Sequence, residues 1–380
     1  MRFFHLADLH LGKVVHGFSM LADQRDMLEQ VLQAAHQQRP AAVLLAGDLY
    51  DRRVPSGGAV ALLNWFLTQL AEAHIPCLAI AGNHDSGVRI GFASKILEKQ
   101  GLYLAGTATA ELTHVRFTED NVTADVWLLP FLRPAEGAAL LPEAHIQSYD
   151  DAVRALLAEQ NLDADVCNIL VAHQFVTGAG ITPERSDSEV VTVGGVDNVD
   201  CAAFAAFDYV ALGHIHGPQP VGDRCRYAGS PLPYSFSEAR QDKRITVIQV
   251  DAAHTCSIST LPLTPLHPMR ELRGPLEELL KPDIVAAGDP TDYLRVTLTD
   301  EREPENAASR LRAVYPNLMR LEFDNQRTRQ SELQLDEDWE EELSLEGLFA
   351  EFFEKQNGRA LEPESQTLLE QVRKEADEHT

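Results

Sequence analysis

The sequence has little cysteine and no long apolar run, and both absences narrow the class of protein. Its five cysteines are scattered, an odd number without a Cys-x-x-Cys pair, which argues against a disulfide scaffold or a cysteine-rich zinc site. No apolar run approaches the roughly 18–20 residues that a membrane-spanning helix needs. Residues 1–8 lack the apolar stretch and cleavage site of a signal peptide. We therefore expect a cytoplasmic protein with reduced thiols and no membrane partner.

Basic residues are also scarce. The chain has 32 Lys and Arg against 58 Asp and Glu, a formal net charge of −26. A surface that binds phosphate backbones is normally basic, so this balance alone argues against nucleic acid. The acidic excess is uneven, because residues 331–380 alone carry 16 acidic and 4 basic side chains. We expect this tail to face solvent or a basic partner surface, and the functional site must decide the question of nucleic acid.

The length of 380 residues and the apolar content of 44% are typical of a folded chain with two to three domains. Over residues 1–262, short aliphatic or β-branched runs alternate with segments whose apolar residues recur every 3.6 positions. The predicted strands are 3–7, 42–46, 76–81, 124–129, 166–172, 209–212 and 244–250, and the predicted helices are 23–38 and 59–73. This alternation indicates an α/β domain with helices on the sheet faces and a ligand site beyond the carboxyl ends of the strands.

Two further regions follow a proline cluster at 261–268, which we interpret as a linker. Residues 268–328 are predicted to form a small α/β domain in the order strand, helix, strand, helix, strand. Residues 329–380 carry two amphipathic stripes, one of Leu345, Leu348, Phe349, Phe352 and Phe353 and one of Leu361, Leu368, Leu369 and Val372. An acidic helical tail of this kind either docks on a partner or folds back on its own protein.

Five short polar motifs stand where predicted strands end. They are Asp8-Leu9-His10, Gly47-Asp48-Leu49-Tyr50-Asp51, Gly82-Asn83-His84-Asp85, Ala172-His173-Gln174 and Gly213-His214-Ile215-His216. Each motif alone is a weak signal, but five independent coincidences at strand ends are not a credible explanation. Carboxylate, imidazole and amide donors without thiolate favour Mn²⁺, Fe²⁺, Mg²⁺ or Zn²⁺, and they are too many for one ion. The set predicts two divalent metal ions that act on a phosphoester.

The five motifs together resemble those of the calcineurin-like metallophosphoesterases, and more narrowly those of the SbcD family of bacterial DNA repair nuclease subunits. The narrower resemblance covers residues 1 to about 245 well and the remainder mainly in layout. It rests on Asp8 to Gly12, Phe131 to Pro134, Ser186 to Glu189 with Val193 to Gly195, Tyr209 to His216, and Gly229 to Glu238. The resemblance implies a sandwich of two sheets flanked by helices. It also implies a small α/β cap domain that contacts DNA and a C-terminal helical tail that binds an ATPase partner.

The resemblance also implies roles for individual residues. Asp8, His10, Asp48 and His216 would hold one metal ion, while Asp48, Asn83, His173 and His214 would hold the other, with Asp48 as the bridge. His84 would act on the scissile phosphate, and Asp85 would orient His84. Asp51 is expected to order its loop. The chain departs from the family pattern at Ala172-His173-Gln174, where Gly-His-Leu is common, which leaves the fine positioning of the second ion open.

The family implies a Mn²⁺-dependent nuclease that is exonucleolytic on double-stranded DNA ends and endonucleolytic on single strands and hairpins. Its partners would be DNA, an SbcC-type ATPase with a coiled coil, and a second copy in a heterotetramer. The chain has no GxxxxGK[ST] motif, so ATP hydrolysis would come from the partner. A stand-alone phosphodiesterase for a small molecule or cyclic nucleotide remains the alternative, although about 120 additional residues argue against it. A third possibility is a non-catalytic scaffold that keeps the fold. The intact metal-donor positions and the intact His84 argue against it.

Overall fold

The alternating apolar segments fold into a layered α/β protein. The computed structural model describes residues 1–178, 180–189 and 197–325, together with Thr328 and Ser365. The described strands are β1 (Arg2–Leu6), β2 (Val14–Val15), β3 (Phe18–Ser19), β4 (Ala42–Ala46), β5 (Cys77–Ile80), β6 (Leu102–Ala105), β7 (Thr113–Glu119), β8 (Val122–Leu129), β9 (Cys167–His173), β10 (Phe175–Thr177), β11 (Asn198–Asp200), β12 (Tyr209–Gly213), β13 (Gln219–Val221), β14 (Cys225–Tyr227), β15 (Arg244–Val250), β16 (Cys256–Pro262), β17 (Met269–Gly274), β18 (Tyr293–Leu298) and β19 (Leu318–Phe323). The described α-helices are α1 (Leu21–Gln38), α2 (Gly57–Glu72), α3 (Gly87–Ile90), α4 (Ser94–Leu97), α5 (Pro134–Leu140), α6 (Tyr149–Ala158), α7 (Leu276–Leu279), α8 (Pro282–Val285) and α9 (Ala307–Arg312).

Two six-stranded sheets form the larger part of the fold. Their strand orders are β16-β15-β1-β4-β5-β6 and β13-β14-β12-β9-β8-β7. The pairs β1–β4, β4–β5 and β5–β6 are parallel in the first sheet, and β12–β14, β9–β12 and β8–β9 are parallel in the second. Because the parallel strands run in one direction within each sheet, their carboxyl ends lie together at one edge of it.

The two sheets pack face to face, and helices cover their outer faces. The inner core includes Phe3, Leu44 and Ile80 from the first sheet with Val126 and Ile169 from the second, all of them fully buried. Burying side chains of this size contributes roughly 1.5–3 kcal/mol each. On the outside, α1 and α2 share a core with the first sheet, and α6 shares one with the second. The expected sandwich is confirmed.

The two longest helices follow from their sequences. Helix α1 buries Met27, Leu28, Val31, Leu32 and Ala35 along one face, as an amphipathic stripe predicts. It ends at Arg39, which adopts a left-handed conformation with φ 45° just before a proline. Helix α2 begins after Ser56, whose hydroxyl accepts a hydrogen bond from the Ala59 N–H at 3.3 Å.

The main deviations from the predicted elements lie at sheet edges. Strands 42–46 and 244–250 have the predicted bounds, whereas β6, β7 and β16 were not expected. Strand β16 extends into the proline cluster that we interpreted as a linker, as far as Pro262. Proline is tolerated there because β16 is an edge strand with one neighbour. The irregular connection to the next sheet is therefore shorter than the sequence suggests.

A third sheet follows this connection. Strands β17, β18 and β19 pair in parallel and have their own core with α7 and α9, which confirms the predicted strand–helix–strand–helix–strand order, with α8 as an additional short helix. The two amphipathic stripes expected in residues 329–380 lie outside the described residues. Among the helices of the described ranges, none is long and apolar enough to cross a bilayer.

Candidate metal centre

The candidate donors lie where the carboxyl ends of five strands meet. β1, β4 and β5 from one sheet and β9 and β12 from the other are each followed by at least one of them. The structure brings into one cluster all seven residues that the sequence predicts as metal ligands, namely Asp8, His10, Asp48, Asn83, His173, His214 and His216. The functional site therefore spans the two sheets.

Four of these residues have an unusual backbone conformation. Asp8, His10, Asp48 and His214 have φ values of 54°, 42°, 49° and 104°. Non-glycine residues with positive φ are uncommon, and holding each one costs on the order of 1–3 kcal/mol. Such strain persists where the surrounding structure fixes a side chain for a function. In this protein the left-handed backbone at these four positions turns their side chains toward one another across neighbouring strand ends.

Small residues leave room for the donors. A Cβ on Gly47 would collide with the His173 ring, and one on Gly82 would collide with the Asp48 carboxylate. Gly47 also has φ +85°, a conformation that glycine adopts at no steric penalty. The glycines that precede Asp48 and Asn83 in the sequence motifs therefore serve close packing around the donor side chains.

One group of donors consists of Asp8, His10 and His216. Their nearest ligand atoms all lie within 4.8 Å of one another, and Nε2 of His10 is 3.1 Å from Nε2 of His216. The Asp8 carboxylate is fixed by the backbone N–H of His214, which donates to it at 3.0 Å. All three donors are buried, with exposed fractions of 2% or less.

A second group forms around Asn83. His173 donates from Nδ1 to the Ala46 carbonyl at 2.8 Å, which turns its Nε2 toward the Asn83 Oδ1 at 2.9 Å. Nδ1 of His214 is 3.1 Å from the same oxygen. Asp48 lies between the two groups, since its Oδ2 is 3.3 Å from Nε2 of His173 and 3.8 Å from Nε2 of His10.

The pKa values show how much these groups perturb one another. Burial raises the pKa of Asp8 to about 7 and lowers that of His214 to about 3. Burial also acts on His173, but the charge of Asp48 and the hydrogen bond with it raise the pKa of this histidine to about 9. Against the effect of burial, the charge of His173 holds the pKa of Asp48 well below its usual range.

These donors fit divalent cations. Nε2 of His10 faces a second ring nitrogen, and the Asn83 oxygen faces two ring nitrogens, so nitrogen and oxygen atoms that can bind a metal converge at 3.1 Å or less. A cation, either a proton or a metal ion, is needed where such buried acceptors meet, and the raised pKa of His173 reflects the same need. Oxygen and imidazole donors without thiolate suit Mn²⁺, Fe²⁺, Mg²⁺ or Zn²⁺.

His84 lies beside the donors, but Asp85 does not contact its ring. The resemblance implies that Asp85 orients His84, and the structure gives the His84 Nδ1–H to the Asp51 carbonyl at 3.0 Å. The Asp85 carboxylate instead accepts backbone N–H groups of Leu49, Tyr50 and Gly82 at 2.9–3.0 Å. Asp85 therefore fixes the loop that ends in Asp51, and it acts on His84 only through that loop.

Several further residues surround the donors without a clear signal in the sequence. Gln24 on α1 donates to the His10 carbonyl at 2.8 Å and accepts from the Gly12 N–H at 2.9 Å. A cavity of about 90 Å³ over the donors is lined in addition by Phe131, Tyr149, Ser188, Glu189 and Asp197. Phe131, Ser188 and Glu189 belong to family motifs that carried no assigned role, whereas nothing in the local sequence marks Gln24, Tyr149 or Asp197.

The family of the chain follows from comparison with known proteins. Residues 1–218 match the family described as calcineurin-like phosphoesterase. Residues 265–357 match the family described as type 5 capsule protein repressor C-terminal domain. The first match covers more than half of the chain and contains all seven donors, so the fold and the site define a calcineurin-like phosphoesterase.

The curated relatives narrow this class. The SbcD subunit of the nuclease SbcCD from Staphylococcus epidermidis is 31% identical over 326 residues, which are 84% of this chain and 85% of the relative. The protein of the same name from Staphylococcus saprophyticus is also 31% identical over 326 residues, 84% of each chain. Within the calcineurin-like phosphoesterases, the chain belongs to the family of SbcD nuclease subunits, which confirms the resemblance. A solved Thermus thermophilus protein, TT1561, covers 68% of this chain and 98% of its own, with 14% identity and a TM-score of 0.40.

Proposed function

We propose that this chain is the nuclease subunit of an SbcC–SbcD-type complex and hydrolyses DNA phosphodiesters with two divalent ions, Mn²⁺ being the working metal. The observation that carries this proposal is the convergence of seven donors from five strand ends, with His84 at the rim of the same cavity. The curated relatives are named as nucleases, which supports DNA over a small phosphoester as substrate.

The residues divide the work of hydrolysis between them. Asp8, His10, Asp48 and His216 would hold one ion, and Asp48, Asn83, His173 and His214 the other. When bound, two such ions supply Lewis-acid polarisation of the phosphodiester and an activated water. His84 is half-buried, and the Asp51 carbonyl occupies its Nδ1–H, so Nε2 is the ring atom that can stabilise the phosphate or protonate the leaving oxygen.

Cleavage assays with His84→Ala test this mechanism. Labelled DNA duplexes, single strands and hairpins are incubated in Mn²⁺ with the wild type, His84→Ala and His36→Ala. The control histidine is exposed near the end of α1. We expect a loss of about 10²–10⁴-fold for His84→Ala and wild-type rates for His36→Ala. Equal rates for all three proteins would contradict the role of His84, and hydrolysis of cyclic nucleotides without any DNA cleavage would favour the alternative phosphodiesterase.

The ATPase partner is proposed to bind the acidic tail. Residues 329–380 carry the two amphipathic stripes, and the curated relatives are named as subunits of a two-component nuclease. Co-purification of a candidate SbcC-type ATPase with the full chain, but not with a chain truncated after residue 328, is the expected result. Equal capture by both forms would refute the role of the tail.

We also propose the domain division 1–262, 268–328 and 329–380 and a cytoplasmic location.

A homodimer within the heterotetramer is proposed to form through one apolar face. Five exposed apolar side chains cluster around α2, α3 and α4, where Val54, Val60, Val88, Phe92 and Ile96 are 71%, 44%, 80%, 79% and 70% exposed. Three of them, Val60, Val88 and Phe92, line a groove of about 490 Å³. An exposed apolar cluster of this kind is typical of an interface, and a two-fold dimer would place the same face on both copies.

Light scattering on the full chain tests this interface with two isoleucines. We expect Ile96→Glu to yield monomers, while Ile284→Glu, an exposed isoleucine on α8, leaves the dimer intact. A dimeric Ile96→Glu protein would show that the two copies meet elsewhere.

A further inference from the structure

A buried polar network lies behind His216 and ends at an ion pair. Nδ1 of His216 is 2.7 Å from Ser188 Oγ, and the Ser188 hydroxyl donates to Glu238 Oε1 at 2.5 Å. The other carboxylate oxygen, Oε2, accepts from Lys243 Nζ at 2.7 Å and from Ser230 Oγ at 3.1 Å. Glu238 and Lys243 are 0% and 3% exposed. Two family motifs that the metal donors leave unexplained, residues 186–189 and 229–238, therefore meet behind one donor.

The network has a defined direction. A carboxylate can only accept hydrogen bonds, so the Ser188 hydroxyl points its hydrogen at Glu238. Ser188 Oγ can then only accept from His216, which places the imidazole proton on Nδ1. In the neutral imidazole Nε2 of His216 then carries the lone pair, and this is the atom that lies 3.1 Å from Nε2 of His10 among the donors.

Lys243 fixes the carboxylate relative to the histidine. Its ammonium donates to Glu238 and, at 3.3 Å, to the backbone carbonyl of His216. Ser230 Oγ and Gln241 Oε1 also lie 2.9 Å from this nitrogen, so four acceptors share its three N–H groups. A single cation thus holds both ends of the network, and only an acceptor can occupy the Glu238 position that faces it.

We propose that Glu238 is a positioning residue, which holds His216 in the Nδ1–H tautomer and so aims the Nε2 lone pair at the metal ion. It acts through Ser188 and through its own Oε1, which lies 3.4 Å from Nδ1 of His216. The inference rests on the proposed metal centre and extends it to a residue that touches neither metal nor substrate. Groups that hydrogen-bond the far nitrogen of a metal-binding histidine fix its tautomer, and their removal weakens metal affinity about 10–100-fold.

The substitution Glu238→Gln keeps the size of the side chain but reverses the direction of the hydrogen bonds from residue 238 to Ser188 and from Ser188 to His216. The glutamine oxygen must face Lys243, because two donors would otherwise oppose each other, so the amide NH₂ faces Ser188. The Ser188 hydroxyl then donates to His216, and the imidazole proton moves to Nε2. We expect Mn²⁺ affinity, measured by isothermal titration calorimetry on the full chain, to fall about 10–100-fold. Asp125→Asn is the matched control, since Asp125 is also a buried carboxylate in an ion pair, with Arg116.

Nitrogen-15 NMR of the histidine rings in metal-free protein gives a readout that does not depend on DNA cleavage. In the wild type we expect the Nδ1–H tautomer for His216, and in Glu238→Gln the Nε2–H tautomer. Glu238→Asp, which keeps the charge beside Lys243 and an acceptor toward Ser188, is expected to retain the Nδ1–H form. An Nε2–H tautomer in the wild type, or a Glu238→Gln affinity within about twofold of the Asp125→Asn control, would overturn the proposal. A wild type that binds no Mn²⁺ would instead contradict the proposed function, and the tautomer measurement would still decide the role of Glu238.

Discussion

His10 and His216 face each other through their Nε2 atoms at 3.1 Å, although 206 residues separate them in the chain. Both rings are buried, and His216 presents a bare nitrogen because its Nδ1–H is donated to Ser188. Two imidazole nitrogens at this distance attract each other only through a shared proton or a common cation. With the Asp8 and Asp48 carboxylates close by, a divalent ion explains the arrangement, and the following predictions depend on it.

Replacing the residue between the two donor groups is expected to abolish metal binding. Asp48→Asn removes the charge that both groups share, so Mn²⁺ affinity falls by more than the roughly 10–100-fold typical of an indirect perturbation. Metal content after gel filtration checks this, with Asp125→Asn as a control far from the donors. If Asp48→Asn retained two ions per chain, Asp48 would not be the bridge.

The space that glycine leaves beside His173 is expected to be essential. Gly47 and Gly17 have nearly the same φ, +85° and +87°, but a Cβ would strike His173 at Gly47 and meet nothing within 4 Å at Gly17. Alanine at either position costs about 1–2 kcal/mol of backbone strain. We expect only Gly47→Ala to lose Mn²⁺ binding as well. Equal metal affinity of the two alanine variants would show that the collision is relieved elsewhere.

The core of the sandwich and the donor motifs were accessible to sequence analysis because each is local. Strand 42–46 is a continuous apolar run, and Asp48 follows it at once, so the end of a parallel strand and its donor appear side by side in the sequence. Edge strands were not accessible. Strand β7 alternates between intermediate and exposed residues, and β16 ends within a proline cluster, so neither presents the apolar signal of a buried strand.

The supporting contacts of the site could not be predicted, because they join distant segments. Glu238 reaches Ser188 across 50 residues. The route from Asp85 to His84 is hidden for the same reason. The resemblance implies that Asp85 orients His84, but the three backbone N–H groups that bind this carboxylate belong to Gly82 and to Leu49 and Tyr50 of another strand end.

Gln24 is expected to support catalysis from outside the donor set. Its amide binds the backbone at the end of the first motif and just after it, at the His10 carbonyl and the Gly12 N–H. Gln24→Ala should therefore lower DNA cleavage about tenfold or more, since small misplacements of catalytic groups reduce rates strongly. Gln30→Ala, on the same helix but bound to Asp26 and Thr264, is the control. Equal cleavage rates of the two variants would show that Gln24 does not support catalysis.

His5 is expected to make the fold sensitive to acid. Burial lowers the pKa of His5 to about 3, so below pH 6.5 the unfolded chain binds a proton that the folded chain excludes. Stability is therefore full above pH 6.5 and is lost as the pH falls toward 3, by about 2 kcal/mol between pH 6.5 and 5. Urea unfolding at pH 7.5 and 5.0 should show a smaller loss in His5→Phe than in the wild type. An identical loss in both would mean that other groups carry the acid sensitivity.

DNA binding by the isolated subunit is expected to be weak. The net charge of −26 opposes phosphate backbones, and two bound divalent ions offset only a few of these charges. Fluorescence anisotropy should show low affinity that falls steeply with salt, and a marked gain when the ATPase partner is added. Tight binding of DNA by the subunit alone at physiological salt would contradict this expectation.

The central claim is that the chain is a nuclease with two metal ions, and one titration tests it most directly. Metal-free protein is titrated with Mn²⁺ while bound metal and DNA cleavage are measured in the same samples. We expect two ions per chain at saturation, with cleavage appearing only as the second site fills. Full occupancy by a single ion, or two bound ions without cleavage of any DNA substrate in the presence of the partner, would contradict the claim.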